Sequence, residues 1–170
     1  MRTEEEKRKH RCCFTGHCPE KLGVPEWKIK AALQREIKAA ILEGYTVFIS
    51  GMARGVDLWA AELVLELRES GAAIRLICAV PYPGVELRWE QGWREKYQAV
   101  LRRADLVRFI CDGYGKDCFQ RRNQWMVGHS NRVIAVYNGK RGGTRNTVEY
   151  ARGCGVTVVK IPCGEGKATE

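Results

Sequence analysis

A chain of 170 residues with 45% hydrophobic side chains is large enough for one buried core and too short for two comfortable domains. Its apolar runs, such as "AAIRLICAV" (72–80), are too short and too charged to cross a bilayer, and "MRTEEEKRKHR" is charged where a secretory leader would be apolar. These features exclude a membrane partner and point to a cytoplasmic protein. The net charge of +9 is lopsided: residues 1–93 hold 14 basic and 13 acidic side chains, residues 94–170 hold 15 and 7. Such an asymmetry suggests an anionic partner for the second half.

The eight cysteines show no CxxC pair and no zinc-type spacing, so no metal site is expected, and most should be reduced, buried thiols. Residues 1–10 read as a charged tail and 164–170 as a C-terminal tail, leaving one domain over 11–163.

Along that domain, strands and helices alternate. "RCCFTG" (11–16) reads as a strand. Residues 26–43 carry Trp27, Ile29, Leu33, Ile37 and Ile41 at helical spacing, with Gly44 as the stop. "YTVFIS" (45–50) is a strand and 56–69 a helix closed by Gly71. A strand over 73–80 ends at "PYPG", and 89–104 is helical with Trp89, Trp93 and Tyr97 inward. Then follow a strand (106–111), a helix (119–128), a strand (132–138), a helix (144–153) and a last strand (156–161). This order predicts a single α/β domain, a Rossmann-like doubly wound, mainly parallel sheet with helices on both faces. In such folds ligands lie beyond the carboxyl ends of the strands.

Glycine, serine, threonine and arginine gather there. "TGHCPEKL" (15–22) follows the first strand and "SGMARGVD" (50–57) the second, and "NGKRGGTRNT" (138–147) follows the strand at 132–138. Glycines let the backbone approach an anion, and the following helix aims free N–H groups and a positive dipole end at it. Thr144 is placed to cap that helix or to bond a phosphate oxygen, and Thr147 lies on the same face. Arg54 is a natural clamp for phosphate, whereas an acid at Asp57 is favoured by the helix dipole even without a function. "QRRNQWMVGHS" (120–130) brings Arg121, Arg122 and Asn123 to a helix start. GxGxxG, hydrolase-triad and paired-carboxylate patterns are all missing.

The segments "CCFTGHCPEKL", "SGMARGVDLWAAE", "RRNQWMVGHS" and "GGTRNTVEYAR", in this order, resemble the SLOG superfamily over residues 11–161. That superfamily holds the DNA-processing protein DprA, the LOG phosphoribohydrolases and a bacterial group typified by YpsA, to which the resemblance is nearest. "SGMARGVD" is similar to the SGxARGxD loop of DprA, "RNQWM" to the arginine motif of both, and "GGTRNT" to their phosphate loop. The resemblance implies a domain that binds a nucleotide or a nucleotide derivative such as ADP-ribose, with no required cofactor. Signalling to a protein partner is implied as well, and a homo-oligomer is left open.

The expected ligand site comprises Thr15, Gly16, His17, Ser50, Gly51, Arg54, Gly55, Asp57, Arg122, Asn123, Gly142, Gly143, Thr144 and Thr147. Alanine at Arg54 or Arg122 is expected to remove binding and leave the fold intact. Thr147 stands where LOG hydrolases carry their glutamate, which argues against that chemistry. Cys18 and Gly128 depart from the usual arginine and acid of the YpsA-like group. The alternatives are single-stranded nucleic-acid binding as in DprA and nucleoside-monophosphate hydrolysis as in LOG enzymes. Against strand binding, Trp27, Trp59, Trp93 and Trp125 fall mainly on faces predicted to be buried, leaving no stacking platform.

Overall fold

The computed structural model of the chain describes residues 1–164; of the expected C-terminal tail, 165–170 lie outside the described residues. Six strands alternate with helices: β1 (Arg11–Gly16), β2 (Val47–Ser50), β3 (Arg75–Val80), β4 (Leu106–Phe109), β5 (Arg132–Val136) and β6 (Thr157–Ile161). The helices are α1 (Glu4–Arg8), α2 (Glu26–Leu42), α3 (Val56–Glu69), α4 (Gln91–Arg103), α5 (Cys118–Gly128) and α6 (Gly143–Gly153), with a 3-10 turn at Pro19–Lys21. Among the described residues no helix is long and apolar enough to cross a membrane.

All strand pairs are parallel, in the order β4-β3-β2-β1-β5-β6. The chain winds outward from β1 to β4, packing α2, α3 and α4 on one face, then crosses back through α5 to β5 and packs α5 and α6 on the other. This is the predicted doubly wound sheet. Its direction reverses between β1 and β5, and a crevice opens there at the carboxyl edge. Successive residues of β1 serve opposite faces, as strand geometry requires: Cys12 and Phe14 join the α2–α4 core, Cys13 the α5–α6 core.

Three local expectations change. Residues 4–8 form a helix, because Thr3 and Glu6 make a reciprocal capping box and Arg8 Nε–H donates to Ser130 O at 2.9 Å. Trp27 is 65% exposed; it lies two residues before the buried Ile29, roughly 200° around the helix. The strand expected over 106–111 stops at Phe109, after which Cys111 N–H bonds Pro81 O.

Candidate functional site

The loop after β2 is built inward. Ser50 Oγ–H donates to Asp57 O at 2.8 Å and accepts from Met52 N–H at 3.2 Å. Asp57 Oδ2 accepts from Ala53 N–H at 3.2 Å. Arg122 reaches in from α5, where Nη1–H donates to Gly51 O and Nε–H to Asn123 Oδ1. A Cβ on Gly51 would lie 2.8 Å from Asp57 Oδ2 and 3.1 Å from Arg122 Cδ, so only glycine leaves room for this brace. Gly55, at φ +90°, turns the chain into α3 against the ring of Pro19.

Burial pushes the Asp57 carboxyl up to about 6, with the Arg122 charge acting against the shift; burial also lowers the Arg122 pKa. A raised carboxyl pKa means that the folded state holds its proton more tightly than the unfolded chain, whose value is near 3.8. The stabilisation from that proton is complete below the unfolded value and is lost as pH rises through about 6. Stability of the protein relative to Asp57→Asn should fall by on the order of 3 kcal/mol across this window. Denaturant unfolding of both proteins at a series of pH values checks it.

Around this brace, Arg54 Nη1 pairs with Glu20 Oε1 at 3.0 Å in the 3-10 turn. Thr15 is buried, and a Cβ on Gly16 would sit 2.4 Å from Val56 Cγ2, so α3 closes directly onto the end of β1. His17 is buried, and Nε2 accepts from Asn138 N–H at 3.4 Å. Its pKa is lowered by burial, which suits a neutral, accepting ring. Beside it lies a shallow cleft of about 490 Å³ that Lys21, Lys140 and Arg141 also line.

At the other side of the switch point, α6 begins on Gly142, at φ 146°, a backbone that only glycine adopts readily. Gly142 has no side chain with which to cap the helix, so its first-turn N–H groups stay available at the carboxyl edge. Thr144 is buried, and Thr147 Oγ1–H donates to Gly143 O at 2.9 Å. Between α5 and α6 runs a half-open cleft of about 600 Å³. Lys116, Phe119, Gln120, Asn123 and Gln124 line one wall, and Gly143, Asn146, Thr147, Glu149 and Tyr150 the other. Tyr82 meets the rings of Tyr114 and Phe119 edge-on, at 5.7 and 6.0 Å, which carries an aromatic surface from the cleft toward β3.

A family model described as the YspA SLOG family matches residues 12–152. The chain belongs to this SLOG family. It is 32% identical over 139 residues to a UPF0398 protein of Bacillus pumilus, covering 76% of this chain and 74% of that one. A UPF0398 protein of Bacillus thuringiensis (strain Al Hakam) is 33% identical over 148 residues, 81% and 80% of the two chains. For the UPF0398 protein of Halalkalibacterium halodurans the identity is 31% over 118 residues, covering 68% of this chain and only 62% of that one.

Among solved structures, DprA of Streptococcus pneumoniae superposes with a TM-score of 0.66 at 19% identity, covering 95% of this chain and 52% of DprA. DprA of Helicobacter pylori gives 0.65 at 16%, covering 98% and 70%. At these identities the likeness is one of fold.

In this SLOG chain, the residues expected at the site separate into three groups. Asn123, Gly143 and Thr147 line the α5–α6 cleft, with Gly142 and Thr144 at its α6 end. His17 lines the second cleft, where Thr15 and Gly16 end β1. Ser50, Gly51, Asp57 and Arg122 form the internal brace, with Gly55 at its turn, and Arg54 is tied to Glu20 outside it. The cleft also uses Lys116, Phe119, Gln120, Gln124, Asn146, Glu149 and Tyr150, which the sequence reading missed. Their signal is periodicity of the polar side: 119/120 and 123/124 on α5, with Lys116 in the turn just before it, and 143, 146/147 and 150 on α6, recur at three and four residues. Cys18 is exposed, and a Cβ on Gly128 would meet nothing within 4 Å.

Proposed function

We propose that the carboxyl edge of the sheet binds single-stranded nucleic acid, with one nucleotide seated in the α5–α6 cleft. The observation that carries this reading is the exposed aromatic surface: Tyr114 is 74% exposed, Phe119 42% and Tyr150 39%, beside the Lys116 ammonium and the uncapped start of α6. Stacking on such rings and charge along the backbone are how single strands are held without base readout. The expected lack of a platform rested on tryptophans; tyrosine and phenylalanine supply it instead. The fold likeness to Helicobacter pylori DprA, described for its single-stranded DNA binding mode, supports the same reading. The protein acts in the cytoplasm, whose reducing poise suits a chain with eight free cysteines.

A free nucleotide derivative is the second reading, because a cleft of about 600 Å³ is of the size that encloses one small ligand. Phosphate would lie on the Gly142–Thr144 amides and a base against Phe119 or Tyr150. Salt separates the two. Titration with a labelled oligothymidine should give binding that weakens roughly 20–50-fold between 50 and 200 mM salt, for about three or four phosphate contacts. AMP and ADP-ribose should bind more weakly than the strand. Salt-tolerant binding of one of these nucleotides, with no oligonucleotide binding, would overturn the strand reading in favour of a nucleotide sensor.

A further inference from the structure

The segment joining β4 to α5 reads Cys-Asp-Gly-Tyr-Gly-Lys-Asp-Cys (111–118) and folds back on itself. Cys111 is anchored at its main chain, N–H to Pro81 O at 2.9 Å, and Cys118 N–H donates to Gly115 O at 3.3 Å. The Cys118 thiol points back into the loop, donating to Gly113 O at 3.5 Å, two residues along the chain from Cys111. Arg121, one turn along α5, donates Nη1–H to Cys111 Sγ at 3.3 Å. Cys111 is half-buried and open to a reagent, while Cys118 is buried behind it. The other cysteines are arranged differently. Cys12, Cys13, Cys78 and Cys163 are buried in the core, the first two on opposite faces of the sheet, and Cys18 and Cys154 are exposed.

We propose that Cys111 and Cys118 are a redox pair, closed by exchange with a low-molecular-weight disulfide into an intramolecular disulfide that locks the 112–117 loop at the mouth of the cleft. In the first step the Cys111 thiolate attacks one sulfur of the small disulfide, releasing one small thiol and leaving a mixed disulfide. In the second, the Cys118 sulfur attacks Cys111 Sγ and displaces the other small thiol. The two protein thiols supply two electrons and two protons, the small disulfide is reduced to two thiols, and excess small thiol runs the sequence backwards. The Cys118 contact raises the Cys111 pKa, and the Arg121 guanidinium acts against it. Because the loop carries Lys116, which lines the cleft, and Tyr114, whose ring meets Tyr82, closing it changes access to the ligand surface. That consequence rests on the strand-binding reading; formation of the disulfide does not.

The test is incubation of the folded protein with oxidised glutathione, then trypsin digestion without reduction. Cleavage after Lys116 separates the two cysteines, so the disulfide must tie peptide 109–116 to peptide 117–121. The expected product is this linked pair, lighter than the two free peptides by two hydrogens and split by a reductant. Cys118→Ser should instead stop at the mixed disulfide on Cys111. Persistence of that mixed disulfide in the unaltered protein, or modification confined to Cys18 and Cys154, overturns the pair. Oxidation should also change oligothymidine affinity several-fold in the unaltered protein and not in Cys118→Ser. A linked peptide with unchanged affinity overturns the locking role. If neither redox state binds the strand, the linked peptide still upholds the pair, and it is the cleft reading that fails.

Discussion

Replacing Arg122 with alanine should lower the unfolding free energy by on the order of 3 kcal/mol, because it leaves the buried Gly51 carbonyl unpaired and takes a compensating charge away from the buried Asp57. The side chain is 6% exposed and holds the Gly51 carbonyl, Asn123 and the charge of Asp57 together. Without it Gly51 O loses its partner, a cavity opens beside Met126, and Asp57 must stay charged alone or take up a proton. For a chain of this size the loss corresponds to a melting temperature lower by roughly 6–12 °C. The deficit should be larger above pH 6, where Asp57 is ionised, than below it. Arg122→Lys keeps the charge without the planar fork and should fall between. By contrast Arg54, in an exposed pair with Glu20, should cost under about 1 kcal/mol on conversion to alanine. Burial thus revises the expectation that both arginine variants leave the fold intact. An Arg122→Ala protein melting like the parent would remove the brace from the account.

Phe119→Ala should weaken oligothymidine binding roughly 5–100-fold, since base–aromatic stacking is worth ~1–3 kcal/mol per base. Phe119 is only partly exposed, and its ring rests edge-on against Tyr82 with the Arg122 guanidinium 5.8 Å from its centre. Truncation therefore costs some stability too, on the order of 1 kcal/mol for the aromatic pair. Melting curves run beside the titration separate a folded protein that binds poorly from a weakened fold. Unchanged affinity in a folded Phe119→Ala protein would place the bases elsewhere.

The fold was legible because its signals are local. β1 and α3 begin and end where periodicity placed them, and the stops at Gly44 and Gly71 adopt φ of +97° and +107°, as helix-ending glycines do. The tight turn at "SGMARGVD" was equally legible; the direction in which its polar atoms face was not. That depends on Arg122, 71 positions beyond Gly51, arriving on a helix that crosses the opposite face of the sheet. Local pattern carries no information about such a meeting.

Of the ten residues that line the cleft, three were legible: Asn123, Gly143 and Thr147. Its aromatic part is built from phenylalanine and tyrosine, not from the tryptophans. Trp59 does serve the core, Trp89, Trp93 and Trp125 pack at its margins, and Trp27 lies in the open. Tyr114 lies in a short glycine-containing loop, where no periodicity marks a face, and Phe119 lies in the first turn of α5, where the repeat has only begun.

Photo-crosslinking with an oligonucleotide carrying 4-thiothymidine, followed by peptide mapping, tests the placement of the site most directly. Crosslinks are expected on the segments 116–124 and 143–150, which form the two walls of the cleft. A second basic pocket, lined by Arg2, Lys7, His10, Arg11 and Arg75, lies at the amino ends of the strands. Crosslinks confined to that edge would contradict a binding site at the carboxyl edge.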